Sequence, residues 1–337
     1  MSDSLRAREL GLVPDGGEPG EHNAITDVPG VRVGHTTIRQ PPRLHTGVTA
    51  IVPDEVSPHS PLPAGLFAGN GYGKLVGATQ LVELGAIETP LLLTATLSAF
   101  RAADALVGWA LARPDCTDVQ SLNPVVGECN DGFLSDIRAR PVGEQQVLAA
   151  IEAAAGGPVA EGCVGAGTGT GALGFKAGIG TASRILDLDG EPVTIGVLVQ
   201  ANFGGTLRVL GRPVTPAALG LPQAAASDIG SCMIIAATDA PLDARQLTRL
   251  ARRLVFGLAR VGADYSHGSG DYGIAFSVRP GNTPPQDAAL SPLFEAALEA
   301  VEESVLNSLV AATTTYGVDG HVLHALPVPQ LAELLNI

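Results

Sequence analysis

Positive charge is scarce in this chain: 20 Lys and Arg stand against 34 Asp and Glu, a formal net charge of −14. An acidic surface repels phosphate, which argues against a nucleic-acid partner and against docking on anionic lipid. No stretch approaches 18 apolar residues uninterrupted by Gly, Pro or charge, so no membrane span is expected. The first 21 residues, MSDSLRARELGLVPDGGEPGE, lack an apolar h-region, so no signal peptide is expected. Cysteine is limited to Cys116, Cys129, Cys163 and Cys232, without CxxC spacing. That excludes a disulfide frame or a zinc-finger pattern and suits reduced, packed thiols of a cytoplasmic protein. No His/Asp/Glu cluster has metal-ligand spacing, so no metal and no cofactor is expected. Internal repeats and low-complexity linkers are missing as well.

What is present is apolar residue and glycine. The 337 residues are 45% apolar and 16% charged, enough to bury a sizeable core. Glycine numbers 42, about twice the usual share of roughly 7%. The glycines cluster between apolar runs, as in a sheet-rich body with many tight connections.

The patterning predicts interleaved strands and helices. Residues 25–37 alternate around a Pro-Gly turn and predict two short strands, 47–52 a third, and 64–75 (AGLFAGNGYGKL) a glycine-rich loop. Helix is predicted over 75–84, 100–111 and 144–155, and strand over 91–96. Residues 125–136 predict a strand followed by a turn, and 162–186 a glycine-rich stretch ending in strand. Residues 193–202 and 231–237 are unbroken apolar runs, the pattern of strands buried on both faces. Residues 210–228, rich in Pro and Ala, predict a loop. The clearest helix is 243–261: Leu247, Leu250, Leu254 and Leu258 share a face, and Asp243 with Gln246 forms a capping box. A strand over 274–278 and a helix over 294–309 follow, the latter with Ser291 as N-cap and Pro292 at the first helical position. This interleaving favours one layered α/β body over two separable domains.

The chemistry centres on Gly230–Ser231, between the Pro/Ala-rich loop and an apolar strand. A serine hydroxyl there can attack the preceding carbonyl. Hydrolysis of the resulting ester would leave Ser231 as a new N-terminus. Its free α-amino group, with a pKa of roughly 7.7–8.0, is a base at neutral pH on the same residue as the hydroxyl it activates. Most Gly-Ser pairs are simply turns, and the dipeptide alone does not decide the matter.

The surrounding words do. ITDVPGVRVGH, TGVTAIVP, GNGYGKL, PVVGECNDGFLSD, GAGTGTGALGFKAGIGTASR, VLVQANFG, GSCMIIAATDAPL, HGSGDYGIAFS and DGHVLHALP run in order from residue 25 to 327. With them the sequence resembles the self-processing L-aminopeptidase/D-esterase family, which includes the β-peptidyl aminopeptidases. The resemblance implies an αββα sandwich of the N-terminal-nucleophile hydrolase type, in which two face-to-face sheets carry helices outside. It implies autocleavage between Gly230 and Ser231 into residues 1–230 and 231–337, with Ser231 as nucleophile. Asn202 takes the place of the family's oxyanion-stabilising amide. Ser269 and Asp271 match the pair that polarises the nucleophile's amine, and Glu128 matches the acid that meets the substrate ammonium. Some members carry Tyr where this chain has Asn130, which can donate an amide but not a phenol. A small peptide, amide or ester substrate and a tetramer of processed protomers also follow from the resemblance.

Other readings compete. An acyltransferase or oligoamide hydrolase could use the same scaffold, and a non-catalytic binding protein could keep the fold. Residues 169–174 (GTGALG) match GxGxxG, but β-like, glycine-rich sequence follows instead of a helix, and Lys176 has no GK[ST] context. A Ser231–His267–Asp271 triad is conceivable. Asn202, Glu128, Ser269 and Asp271 could each be ordinary turn or strand-edge residues, and Cys232 ordinary core packing.

Overall fold

The structure, a computed structural model, describes residues 5–222, 230–280 and 284–337. A four-stranded sheet contains β1 (Val31–Gln40), β2 (Leu44–Pro53), β5 (Leu91–Ala95) and β6 (Val125–Cys129), in that order. The second sheet has β3 (Leu62–Gly71), β4 (Ala86–Ile87), β7 (Ile179–Leu188), β8 (Glu191–Gln200), β9 (Cys232–Thr238) and β10 (Gly270–Ser277). Its order is β4-β3-β10-β9-β8-β7, with β9 and β10 parallel and the remaining pairs antiparallel. Helices α1 (Ala78–Glu83), α2 (Ala99–Leu111), α3 (Glu144–Glu152), α4 (Ala244–Gly257), α5 (Ser291–Val310) and α6 (Val328–Leu335) complete the regular elements.

Three apolar layers show how these elements stack. Between the sheets lie Ile51, Leu91, Leu93 and Val125 from one and Leu198, Met233, Ile235, Ile274 and Phe276 from the other. Outside the four-stranded sheet, Val48, Ala50, Leu92 and Val126 pack on Ala102, Leu106, Val147 and Ile151 of α2 and α3. Outside the six-stranded sheet, Val197, Val199, Ile234 and Ala236 pack on Leu247, Leu250 and Leu254 of α4 and Val301 and Val305 of α5. Alternate residues of β9 thus enter different cores, Met233 and Ile235 inward and Ile234 and Ala236 outward, as the two-residue strand period requires. That is why the strand reads as an unbroken apolar run. The layers are helix, sheet, sheet, helix, as the resemblance implied.

Several expectations are corrected. Residues 25–37 hold a 3-10 turn, Ile25–Asp27, and the start of one long strand rather than two short ones. The glycine-rich 64–75 is mostly strand β3. Its glycines admit helix α4: a Cβ on Gly65 would fall 2.1 Å from the Thr248 backbone nitrogen, and one on Gly69 2.4 Å from Val255 Cγ1. The helix expected over 75–84 shrinks to α1. Helix α4 does cap on Asp243, whose Oδ1 accepts from the Gln246 amide at 2.7 Å, but it ends at Gly257 rather than 261. Helix α5 begins at Ser291 itself; Leu290 is its N-cap and no side chain caps it. The expected loop at 210–228 includes half of a short hairpin (Leu207–Val209 with Arg212–Val214) and a 3-10 turn, Ala217–Leu219; its residues 223–228 lie outside the described ones. Strand β10 begins at Gly270 rather than 274, which brings Asp271 into the sheet. Among the described residues no helix is long and apolar enough to cross a membrane.

Candidate active site

Ser231 immediately precedes β9 and is 4% exposed. Its amide N–H donates to the Asn202 carbonyl at 2.5 Å, and its own carbonyl accepts from the Cys129 thiol at 3.1 Å. The backbone on both sides of the Ser231 Cα is therefore held. Gly230 is buried too, and crowded: a Cβ there would lie 3.0 Å from the Asn202 oxygen, 3.1 Å from Phe203 Cα and 3.4 Å from Ser269 Oγ. Glycine at 230 thus makes room for the close approach of strand end β8 and of Ser269.

Because β9 and β10 run parallel with Cys232 opposite Asp271, Ser231 faces the entry of β10. Ser269 and Asp271, two residues apart, are both 1% exposed, and the Ser269 hydroxyl donates to Asp271 Oδ1 at 2.8 Å. Asp271 Oδ2 has no hydrogen-bond partner among the described residues. Burial, opposed by the Ser269 bond, pushes the Asp271 carboxyl up to about 6, and Asp264 adds to the rise. Between the two residues, Gly270 borders the serine: a Cβ on it would sit 3.2 Å from Ser231 Oγ.

Asn202 follows the end of β8. Its Oδ1 accepts from the Gly171 amide at 3.2 Å, and its Nδ2 donates to the Asn130 carbonyl at 3.0 Å. One of the two Nδ2 hydrogens is thereby engaged, and the amide keeps a second to donate. The Asn130 side chain turns into its own loop, where Oδ1 accepts from the Gly132 amide at 2.9 Å. Lys176 is fully buried, and its ammonium is consumed by the carbonyls of Gly167 (3.2 Å), Thr170 (2.8 Å) and Ala177 (2.5 Å). It binds the glycine-rich loop together instead of reaching for a phosphate. The hairpin Gly171–Ala172 with Phe175–Lys176 occupies the place where a dinucleotide motif would open a helix.

Glu128, in β6, is 2% exposed. Oε1 accepts from the Lys74 amide at 2.8 Å and Oε2 from the Thr96 hydroxyl. Burial raises its carboxyl pKa, while the bonds from Thr96 and Lys74 pull it back down. No salt bridge to Glu128 forms among the described residues. The Lys74 ammonium instead donates to the Tyr72 carbonyl at 3.2 Å and lies 5.0 Å from the centre of the Tyr72 ring. Gly73 bridges the two ends of the site: a Cβ on it would come within 3.2 Å of Gly270 Cα and 3.3 Å of Glu128 Oε1.

The fold thus gathers Ser231, Asn202, Ser269, Asp271, Glu128 and Asn130 around one small region. His267 stays apart: it is exposed, with its ring 6.0 Å from that of Tyr72, and no histidine triad assembles. Sequence reasoning missed Thr96, Tyr272 and the 72–74 backbone. GNGYGKL carries the signal for the last of these: residues 72–74 are the part of the expected glycine-rich loop that is loop in the structure.

The sequence pattern of Peptidase family S58 matches residues 23–323. The chain is 41% identical to the beta-peptidyl aminopeptidase BapA of Sphingosinicella microcystinivorans, over 99% of this chain and 93% of that protein. A beta-aminopeptidase of a Burkholderia species superposes with a TM-score of 0.89 at 39% identity, covering 98% of each chain. The L-aminopeptidase D-Ala-esterase/amidase of Ochrobactrum anthropi, described as a prototype for the serine aminopeptidases and a variant of the Ntn hydrolase fold, superposes with a TM-score of 0.86 at 36% identity, again over 98% of each chain. The chain belongs to peptidase family S58, and it is an aminopeptidase, a hydrolase of peptide bonds.

Proposed function

We propose that this aminopeptidase is self-processing and that Ser231, once freed from Gly230, is its nucleophile. The observation that carries the reading is the burial of the Gly230–Ser231 junction between the Asn202 carbonyl and the Ser269–Asp271 pair. In the first, single-turnover reaction the Ser231 hydroxyl attacks the Gly230 carbonyl. The peptide bond becomes an ester, and water hydrolyses it. Gly230 then ends in a carboxylate and Ser231 begins with an amine, so one catalytic body consists of residues 1–230 and 231–337.

In each later cycle the Ser231 amine takes the proton of its own hydroxyl as Oγ attacks the substrate carbonyl. The second Nδ2 hydrogen of Asn202 meets the oxyanion. The amine passes its proton to the leaving nitrogen, and water, deprotonated by the same amine, releases the acyl group. Ser269 and Asp271 orient the amine. Glu128 is a buried carboxylate with no salt-bridge partner among the described residues, and the substrate's ammonium supplies that partner. Gly73 and Gly270 pack backbone to backbone between Ser231 and Glu128, where a Cβ on Gly270 would meet Gly73 Cα and N at 2.4 Å. Asn130 stands where some relatives have a phenol, and its backbone carbonyl holds the Asn202 amide.

Short peptides, amides or esters with a free amine are the substrates this arrangement suits, including the β-peptides named for the relatives. Four free, buried cysteines favour a reducing compartment and hence the cytoplasm. Exposed Leu97, Phe100 and Leu111 on and beside α2 favour association into a homo-oligomer. Turnover of aminoacyl p-nitroanilides tests the proposal. Ser231→Ala should abolish it at unchanged thermal stability, and retained turnover in that variant would refute the nucleophile assignment.

A further inference from the structure

The geometry points to Tyr272 and Thr96 as the residues that hold Glu128 ready for the substrate ammonium, and so set the enzyme's demand for a free amine. This inference rests on the reading of Glu128 as the ammonium anchor.

Glu128 meets two neutral donors. One is the Thr96 hydroxyl, on Oε2, from the turn that follows β5. The other is the backbone amide of Lys74, on Oε1 at 2.8 Å. Lys74 belongs to the connection leaving β3, and a connecting amide holds its direction only if the connection is tied down. Tyr272 ties it: its hydroxyl donates to the Gly73 carbonyl at 2.9 Å, the other end of the planar peptide unit that carries the Lys74 amide. The Tyr272 ring packs against Gly73, where a Cβ would come 2.8 Å from Cε2. On the other side of Gly73, the Tyr72 amide donates to the Ser269 carbonyl at 3.3 Å. Residues 72–74 are therefore fixed to β10 and its entry at two points.

Strand alternation gives Tyr272 a place opposite to that of Asp271. Asp271 turns toward Ser269, while Tyr272 enters the core between the sheets and reaches Gly73. Consecutive residues of one strand thus reach the two ends of the site, one through Ser269 and the other through Gly73. Among the described residues the cation that bears on Glu128 is that of Lys74, and it is directed at the Tyr72 carbonyl and ring. The carboxylate is consequently oriented by neutral groups, with its charge left for a ligand. The two fixed donors also oppose the rise that burial imposes on its pKa. Thr96 and Tyr272 touch neither the substrate nor the reacting atoms; they are positioning residues.

The test compares alanyl p-nitroanilide with propionyl p-nitrophenyl ester, which lacks the amine, on processed wild type, Glu128→Gln, Tyr272→Phe, Thr96→Val and Thr96→Ser. Thermal melts check that each variant is folded. Thr96→Val should raise KM for the anilide about tenfold, as expected for loss of a hydrogen bond to a charged group, and Tyr272→Phe, which loses a neutral bond, about threefold. They should leave kcat within about twofold and the ester rate unchanged, and Thr96→Ser should restore KM. Glu128→Gln should raise the anilide KM more than either. If Glu128→Gln has that effect but Tyr272→Phe and Thr96→Val do not, the positioning role is overturned and the anchor stands. If both variants depress kcat on both substrates alike, their role is general structure and the inference fails. If Glu128→Gln leaves the anilide KM unchanged, the anchor reading falls and this inference with it.

Discussion

Among the described residues Asp271 has one hydroxyl partner and a second oxygen with none, and burial lifts its carboxyl to about 6. Both Asp271 and the Ser231 amine work deprotonated, so activity must rise with pH through two ionisations. On propionyl p-nitrophenyl ester, which does not call on Glu128, log kcat/KM should approach a slope of 2 below about pH 6; between there and the amine's pKa of roughly 7.7–8.0 the slope should be 1. Asp271→Asn should lower kcat and leave a slope of 1 throughout, and a pH–rate profile from 4.5 to 9 would show it. Asn202 is the other residue with a measurable share. It has one amide hydrogen to offer an oxyanion, the other being held by the Asn130 carbonyl. Asn202→Ala should reduce kcat on alanyl p-nitroanilide by about 10²–10³-fold with little change in KM. At this scale the sequence was informative wherever a residue sat in a distinctive word. Ser231, Asn202, Ser269, Asp271 and Glu128 all fall in one region of the structure. Thr96 and Tyr272 were not legible, because their significance depends on partners 32 and 199 residues away.

At the scale of elements, hydrophobic period was a good guide and glycine an ambiguous one. Leu247, Leu250, Leu254 and Leu258 are all fully buried, as their helical spacing required, and the apolar runs 193–202 and 231–237 are central strands. Strand β3 was missed because its glycines look like turn residues. Their purpose is steric: α4 crosses β3 so closely that Gly65 meets the backbone at Thr248. No single-chain pattern distinguishes a glycine that bends the chain from one that admits a helix. Gly65→Ala should therefore destabilise the protein by about 3 kcal/mol, near the upper end for overpacking, because backbone rather than a flexible side chain must move. Urea unfolding would measure it, and a change within about 0.5 kcal/mol would contradict the close-approach reading. The late start assigned to β10 has a similar origin: HGSGD reads as a turn, yet parallel pairing with β9 draws Gly270 and Asp271 into the sheet.

For the molecule as a whole, the proposed cut falls at a topologically safe point. Residues 231–337 supply β9 and β10, which lie side by side in the six-stranded sheet. Residues 1–230 supply β8 on one flank and β3 on the other, and six and seven paired positions respectively join them across the cut. Helices α4 and α5 of the second fragment cover β3, β7 and β8 of the first. The fragments would share all of this apolar burial, worth about 25 cal/mol per Å². They should co-elute in native size exclusion and part only in denaturant. The central claim, that scission uncovers the amine which activates Ser231, is tested most directly by intact-mass analysis of the purified protein under denaturing conditions. The account predicts two species whose masses sum to that of the full chain plus one water, the smaller beginning at Ser231, and a single full-length mass for Ser231→Ala. A wild-type protein that turns over alanyl p-nitroanilide while showing only the full-length mass would contradict it.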